Sequence, residues 1–206
     1  MKYIIFLFLL IPAFCYAQKI DTVINAGIYK SYYNYELKQP IYVSYKLYKG
    51  GGPCSRKGMS FKTGGLKSSA TSDDYYKSGY DQGHIANFED FALDCESAES
   101  TFRFYNVIPQ TQNLNRGVWK MYEFIIRKVS QNDSLLIIGG GNQYNKTIGN
   151  GVYVPEHCWK VVYSLSKKVI IYCLWFENSE SEATVTDETI GPLEERLGYN
   201  IRQYLK

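Results

Sequence analysis

Runs that alternate large apolar with mixed residues recur along this chain, broken by Gly and Pro, while helical spacing appears in two stretches without regular βαβ alternation. That order argues against a doubly wound parallel sheet. It predicts an α+β fold, a single domain with a largely antiparallel central sheet flanked by helices. Residues 40–48 read as a strand ended by Gly50, Gly51, Gly52 and Pro53, and residues 101–107 as another stopped by Pro109. Residues 135–138 read as a short buried strand that ends in three glycines. Residues 152–154, 159–164 and 169–176 supply further strands, the last two as a hairpin with its tip near Ser166 and Lys167. Helices are expected over residues 115–129, with Asn113 as a candidate cap, and over residues 190–197, closed by Gly198.

A chain of 206 residues suffices for one sizeable core and is short for two. Met1 and Lys2 precede an apolar run, and Cys15, Tyr16 and Ala17 follow it as a cleavage site. Residues 1–17 are therefore expected to be a signal peptide and residues 18–206 the folded domain, in a secreted or periplasmic protein. A lipoprotein reading of Cys15 is weaker, because Phe14 stands where such signals carry a small residue. No later stretch reaches the roughly 20 apolar residues of a membrane helix.

Removal of the leader leaves Cys54, Cys95, Cys158 and Cys173, an even set that reads as disulfides. Their spacing does not suit a zinc knuckle, and only His84 and His157 are present to assist. Of the three pairings, the hairpin favours Cys158 with Cys173, which leaves Cys54 with Cys95. The net charge of +3 neither requires nor excludes an anionic polymer as partner, while 20 Tyr suit a β-rich surface or a stacking interface.

The chemistry concentrates around Asp81, Gln82, Gly83 and His84, which follow a long irregular connection. Gly83 permits close backbone approach and lets His84 aim into a cleft. Asp81 reads equally as a turn former or as a group that holds this strand or its neighbouring loop. In the first helix Asn115, Trp119, Glu123 and Arg127 lie four apart and share one stripe. Such a stripe ordinarily faces solvent, but a strand ending in His84 packed beside the helix start puts imidazole and amide in one pocket. An imidazole base, a neutral oxygen ligand and a carboxylate meet the needs of Mg²⁺-assisted phosphodiester hydrolysis, since Mg²⁺ keeps several waters and needs few protein ligands. His157 reads as a packing or surface residue. Asp73, Asp74, Glu89, Asp90 and Asp94 show no calcium-loop spacing and read as solvated loop.

Residues 80–84, then Asn106, Val107, Ile108, Pro109 and Gln110, then residues 114–119 with Glu123, resemble the DNA/RNA non-specific endonuclease family, whose active site is a ββα-metal or His-Me finger. Residues 38–47, Ser78, Val154, Pro155, residues 159–162 and Leu193, Glu194, Leu197 and Gly198 extend the resemblance over nearly all of the mature chain. It implies His84 as general base, Asn115 as the sole protein ligand of Mg²⁺, with Mn²⁺ as the alternative, and Asn106 as an amide that orients base or substrate. It further implies Gln110 as a supporting member of the pocket and Glu123 as the carboxylate that holds a water on the cation. Arg127 stands as the ion-pair partner of Glu123 or a phosphate contact. Arg56 is the candidate for the arginine that meets the scissile phosphate, with Lys57 and Arg103 as alternatives.

The activity so implied is hydrolysis of DNA and RNA to 5′-phosphate products. One departure is Gln82, where many members carry Arg: an amide can donate hydrogen bonds to a phosphate but cannot neutralise it, which bears on rate or substrate preference. Two other readings stand beside this one, a phosphodiesterase acting on small or lipid phosphates and a catalytically weak exported nucleic-acid-binding protein.

Overall fold

The computed structural model describes residues 19–205, so the expected signal peptide lies outside the described residues. In chain order the elements are β1 (Thr22–Asn25), β2 (Tyr29–Asn34), β3 (Gln39–Leu47), α1 (Ser72–Tyr75), β4 (Tyr80–His84), α2 (Cys95–Ser100) and β5 (Val107–Thr111). There follow α3 (Trp119–Val129), β6 (Leu135–Ile148), β7 (Val152–Ser164), β8 (Val169–Glu177), β9 (Val185–Asp187) and α4 (Ile190–Leu197). Seven strands form one sheet in the order β1-β2-β3-β6-β7-β8-β9, every neighbouring pair antiparallel, and β4 with β5 forms a separate hairpin.

Alternation along β7 shows how the sheet is clad. Cys158 and Val162 lie in the core that holds Ile85, Ile108, Leu114, Trp119 and Ile126, so this face carries the β4-β5 hairpin and α3. Trp159 and Val161 lie in the opposite core with Leu193, Leu197 and Ile201, so the other face carries α4 and the C-terminal segment. The result is the α+β arrangement expected, with helices on both faces of an antiparallel sheet.

Several boundaries differ from expectation. The three glycines do not end β6, which runs for 14 residues through them. A Cβ at Gly140 would lie 2.0 Å from the Ile41 carbonyl oxygen, so glycine there allows β3 to approach rather than marking a turn. The two expected strands at 152–154 and 159–164 are one, β7, which passes through Pro155 near a register shift in its pairing with β6. Residues 101–107 are not a strand: Phe104–Asn106 form a 3-10 turn, and β5 follows through Pro109. Proline is tolerated because β5 pairs with β4 alone, while the Pro109 carbonyl accepts a hydrogen bond of 3.0 Å from Asn178 Nδ2. The first helix begins late, after a π-turn at Leu114–Val118 with non-helical backbone at Gly117. Asn113 makes no cap; its amide donates to the Glu180 carbonyl instead.

The cysteine pairing divides. Cys54 and Cys95 are bonded, as expected, whereas Cys158 and Cys173 are buried free thiols. Cys173 pairs in register with Val161, three residues from Cys158, so the two thiols point into opposite cores and cannot meet. The Cys54–Cys95 bond closes a separation of 41 residues and pins the loop that carries Arg56 to the start of α2. Replacing both cysteines with serine is expected to lower unfolding free energy by about 2–4 kcal/mol, measured by urea melts of the oxidised chain and the variant.

Candidate active site

The β4-β5 hairpin and α3 bring their functional side chains to one cleft of about 590 Å³. Arg56, Gln82, His84, Asn115, Glu123 and Arg127, all selected from the sequence, line it. Asn106 and Gln110 do not.

His84, the last residue of β4, is 7% exposed, and its Nε2 has no hydrogen-bond partner among the described residues. Phe61 and Phe102 pack on the imidazole with ring centroids at 4.8 and 4.9 Å. Burial, aided by the nearby Arg56 charge, pushes the imidazole down to about 3, so it is uncharged at ordinary pH. A buried nitrogen without a partner at the wall of a cleft is a place where water or substrate completes the bonding.

Asn115 stands in the π-turn before α3, and its Nδ2 donates to Asp81 Oδ2 at 2.9 Å. Arg116 clamps the same carboxylate through Nε at 2.8 Å and Nη2 at 2.7 Å. Burial raises the Asp81 carboxyl, but the Arg116 and Asn115 bonds and the Arg116 charge outweigh it, and the group stays ionised below its usual range. An anionic acceptor fixes which way the amide points: with the nitrogen on Asp81, the oxygen is left for a cation or substrate. Asp81 is therefore a positioning group rather than only a turn former. Asp81→Ala is expected to weaken divalent-cation affinity roughly 10- to 100-fold, read by calorimetric titration with Mn²⁺.

Two expected site residues sit behind the cleft. Asn106 donates to the carbonyls of Ala86 and Thr101, both at 2.9 Å, and accepts from Ala86 N at 2.9 Å. Its amide is thus wholly engaged with backbone, and it fixes the chain two residues after His84 instead of touching base or substrate. Gln110 is fully buried under Gly83, where an added Cβ would lie 2.2 Å from its Oε1, and it lies beside the Cys158 thiol. Gly83 is needed for this close packing, and Gln110 supports the strand rather than the substrate.

Beneath the cleft lies a buried charge network in which Glu123 and Arg127 take different partners. Glu123 accepts from Trp119 Nε1 at 2.9 Å and lies 3.8 Å from Lys160 Nζ, which itself sits 4.0 Å over the Trp119 ring. Arg127 is not the partner of Glu123: its Nε binds Asp90 Oδ1 at 3.0 Å, its Nη2 binds Asn87 Oδ1 at 3.1 Å, and Tyr45 donates to Asp90 Oδ2 at 2.9 Å. Asp90 is buried, and Asp74 likewise, contrary to the solvated-loop reading. Burial pushes Glu123 and Asp90 up and Lys160 down, with the opposite charges of the network resisting each shift. Lys160 was missed, although a lysine on the Cys158 and Val162 face of an apolar strand was the available signal.

Among the arginine candidates, Arg56 lines the cleft and stacks near Phe88 and Phe102 at 5.7 and 5.6 Å, whereas Arg103 turns to the Phe102 carbonyl. His157 stacks on Trp175 at 4.8 Å, away from the cleft. Among the described residues no group of three or more His, Cys, Asp or Glu converges as a metal cage. The donor set is one oriented amide oxygen beside an open cleft, which suits a hard cation that keeps most of its waters, such as Mg²⁺. It does not suit zinc.

A hairpin whose first strand ends in a neutral histidine, followed by a π-turn that presents an oriented amide across the same cleft just before a helix, defines the ββα-metal fold class. The chain belongs to the DNA/RNA non-specific endonuclease family, whose model matches residues 13–206. It is 40% identical over 93 residues to a nuclease of Nostoc sp., covering 44% of this chain and 34% of that protein. It is 32% identical over 107 residues to human mitochondrial endonuclease G, covering 45% and 36% respectively. The mouse mitochondrial nuclease EXOG is 29% identical over 128 residues, covering 54% and 35%. These matches span about a third of the length of each curated relative. The fold superposes on EndoG from a complex with its inhibitor EndoGI with a TM-score of 0.74 at 22% identity, covering 87% of this chain and 84% of that one.

Proposed function

We propose that this protein is an exported, sugar-non-specific endonuclease that hydrolyses DNA and RNA phosphodiesters with Mg²⁺ or Mn²⁺ and leaves 5′-phosphate ends. One observation carries the reading: the unpartnered Nε2 of a neutral His84 and the Asp81-oriented amide of Asn115 share one cleft. His84 Nε2 takes the proton of an attacking water, a role that needs an uncharged imidazole at working pH. Arg56, beside the imidazole, binds the scissile phosphate and offsets its charge. Asn115 Oδ1 would hold the cation, which when bound would supply positive charge to stabilise the leaving oxygen. Because water rather than a ribose 2′-hydroxyl supplies the nucleophile, the sugar takes no part in the reaction, and both nucleic acids are substrates.

Export rests on the leader-like residues 1–17 and agrees with the Cys54–Cys95 disulfide, which an oxidising compartment preserves. Among the described residues no helix is long and apolar enough to cross a membrane. The test is a gel assay of the disulfide-intact mature chain on plasmid DNA and on RNA, with Mg²⁺ or with chelator, beside Asn115→Ala. Cleavage of both polymers that needs the cation and Asn115 is expected. Cleavage of a small aryl phosphodiester with no cleavage of either polymer would sink the reading.

A further inference from the structure

The outward face of α3 holds a feature that the catalytic groups do not use. Phe124 is 53% exposed, the next residue after Glu123, and its ring lines both the cleft and a smaller adjoining cavity of about 250 Å³. That cavity is bounded by Gly50, Phe124, Arg127, Lys128 and Gln131, with no acidic side chain. Its far wall is fixed, because Gly50 N donates to Ser130 Oγ at 3.1 Å and the Gly50 carbonyl accepts from Gln131 Nε2 at 2.8 Å. Arg127 is held by Asp90 and stands between the two spaces. Lys128 Nζ lies 4.4 Å from the Phe124 ring centroid, while Lys120 lines the cleft. Lys120, Phe124 and Lys128 are four residues apart and so occupy one helical stripe about 12 Å long.

An exposed aromatic ring bracketed by lysines is the pattern that binds single strands, a π-face for a base and cations for the phosphates on either side. A protein partner would call for a large contiguous apolar patch, and here Met121 is the other exposed large apolar side chain on the helix while Lys120 and Lys128 flank the ring. We propose that Phe124 is a stacking platform for an unpaired base next to the scissile phosphate, with Lys120 and Lys128 engaging the flanking phosphates. The side cavity is smaller than the usual small-molecule site, which fits one base rather than a folded ligand. This subsite rests on the endonuclease reading of the cleft and refines it: the enzyme prefers unpaired strands, because a base inside a duplex cannot reach the ring.

The probe is a fluorescein-labelled single-stranded DNA oligonucleotide of mixed sequence, titrated by anisotropy with the disulfide-intact mature chain in EDTA, so that binding is read without cleavage. Phe124→Ala is expected to raise Kd about tenfold and Phe124→Trp to preserve it, while the intact duplex of the same sequence changes less than about threefold. Lys128→Gln is expected to lower the salt slope of single-strand binding by about 0.7. An unchanged single-strand Kd for Phe124→Ala, an equal loss on the duplex, or no binding by the parent chain overturns the subsite. Adding Mg²⁺ to the same samples reads the catalytic proposal separately: a chain that binds through Phe124 yet never cleaves keeps the platform and loses the nuclease.

Discussion

Replacing His84 with alanine is expected to lower kcat/KM on DNA by about 10²- to 10⁴-fold, the usual contribution of a positioned general base. The loss should fall on kcat, since Arg56 and the remaining cleft still bind the phosphate. The pH dependence follows from the depressed imidazole. In the folded chain His84 stays neutral down to about 3, against an ordinary value of 6.5, so the cation-supported rate should show no acid limb near 6.5 that belongs to this group. The same shift has a stability consequence. The unfolded chain takes up a proton as pH falls below 6.5 and the folded chain does not, so this part of the stability is whole above 6.5 and is lost progressively towards pH 3. Steady-state rates against pH, beside urea melts of the parent chain and His84→Ala, test both statements. A parent rate that halves near 6.5 and a His84→Ala variant that retains full activity would each overturn the assignment.

Lys160→Met is expected to destabilise the fold by about 3–5 kcal/mol at neutral pH, because removing one member of a buried ion pair strands the other. Glu123 has only the Trp119 N–H, Asn87 and the more distant Arg127 to replace the lost charge. Its carboxyl, already raised by burial, then rises further. A carboxyl raised in the folded state destabilises above that raised value, and the penalty shrinks as pH falls through it and the group protonates. Urea melts should therefore show a larger deficit at pH 7.5 than at pH 5, and the double variant with Glu123→Gln should regain much of the loss. A deficit independent of pH would show instead that Lys160 contributes by packing on Trp119.

What could be read directly from the chain followed local rules. The stripe from Trp119 to Arg127 and the left-handed Gly198 that closes α4 depend on neighbours a few residues away, whereas Asn115 falls in the π-turn before the helix. The order of strands without βαβ alternation fixed the antiparallel class for the same reason. Boundaries that depend on a partner strand depart from the local pattern. Gly140 and Pro109 read as strand ends, yet one allows β3 to approach and the other lies in a strand that pairs on one side only.

The candidate residues of the site came from the family resemblance, which implied an imidazole, amides and a carboxylate at named positions. Which groups face the cleft was not legible. Asn106 and Gln110 have the same chemistry as Asn115, but neighbours far along the chain, the backbone of Ala86 and the underside of Gly83, claim them. The partner of Arg127 was similarly undetermined, since Glu123 on its own helix and Asp90 from a distant turn are both carboxylates within its range.

By itself, then, the sequence determined the antiparallel α+β class through short-range pattern, and the family with its candidate reactive residues through a resemblance that runs along nearly the whole chain. Only the tertiary structure decided that Cys158 and Cys173 lie on opposite faces of a strand pair, that Lys160 rather than Arg127 underlies Glu123, and that Asp81 turns the Asn115 amide. Those outcomes rest on register and burial, and both are set by contacts between segments that have no nearness along the chain.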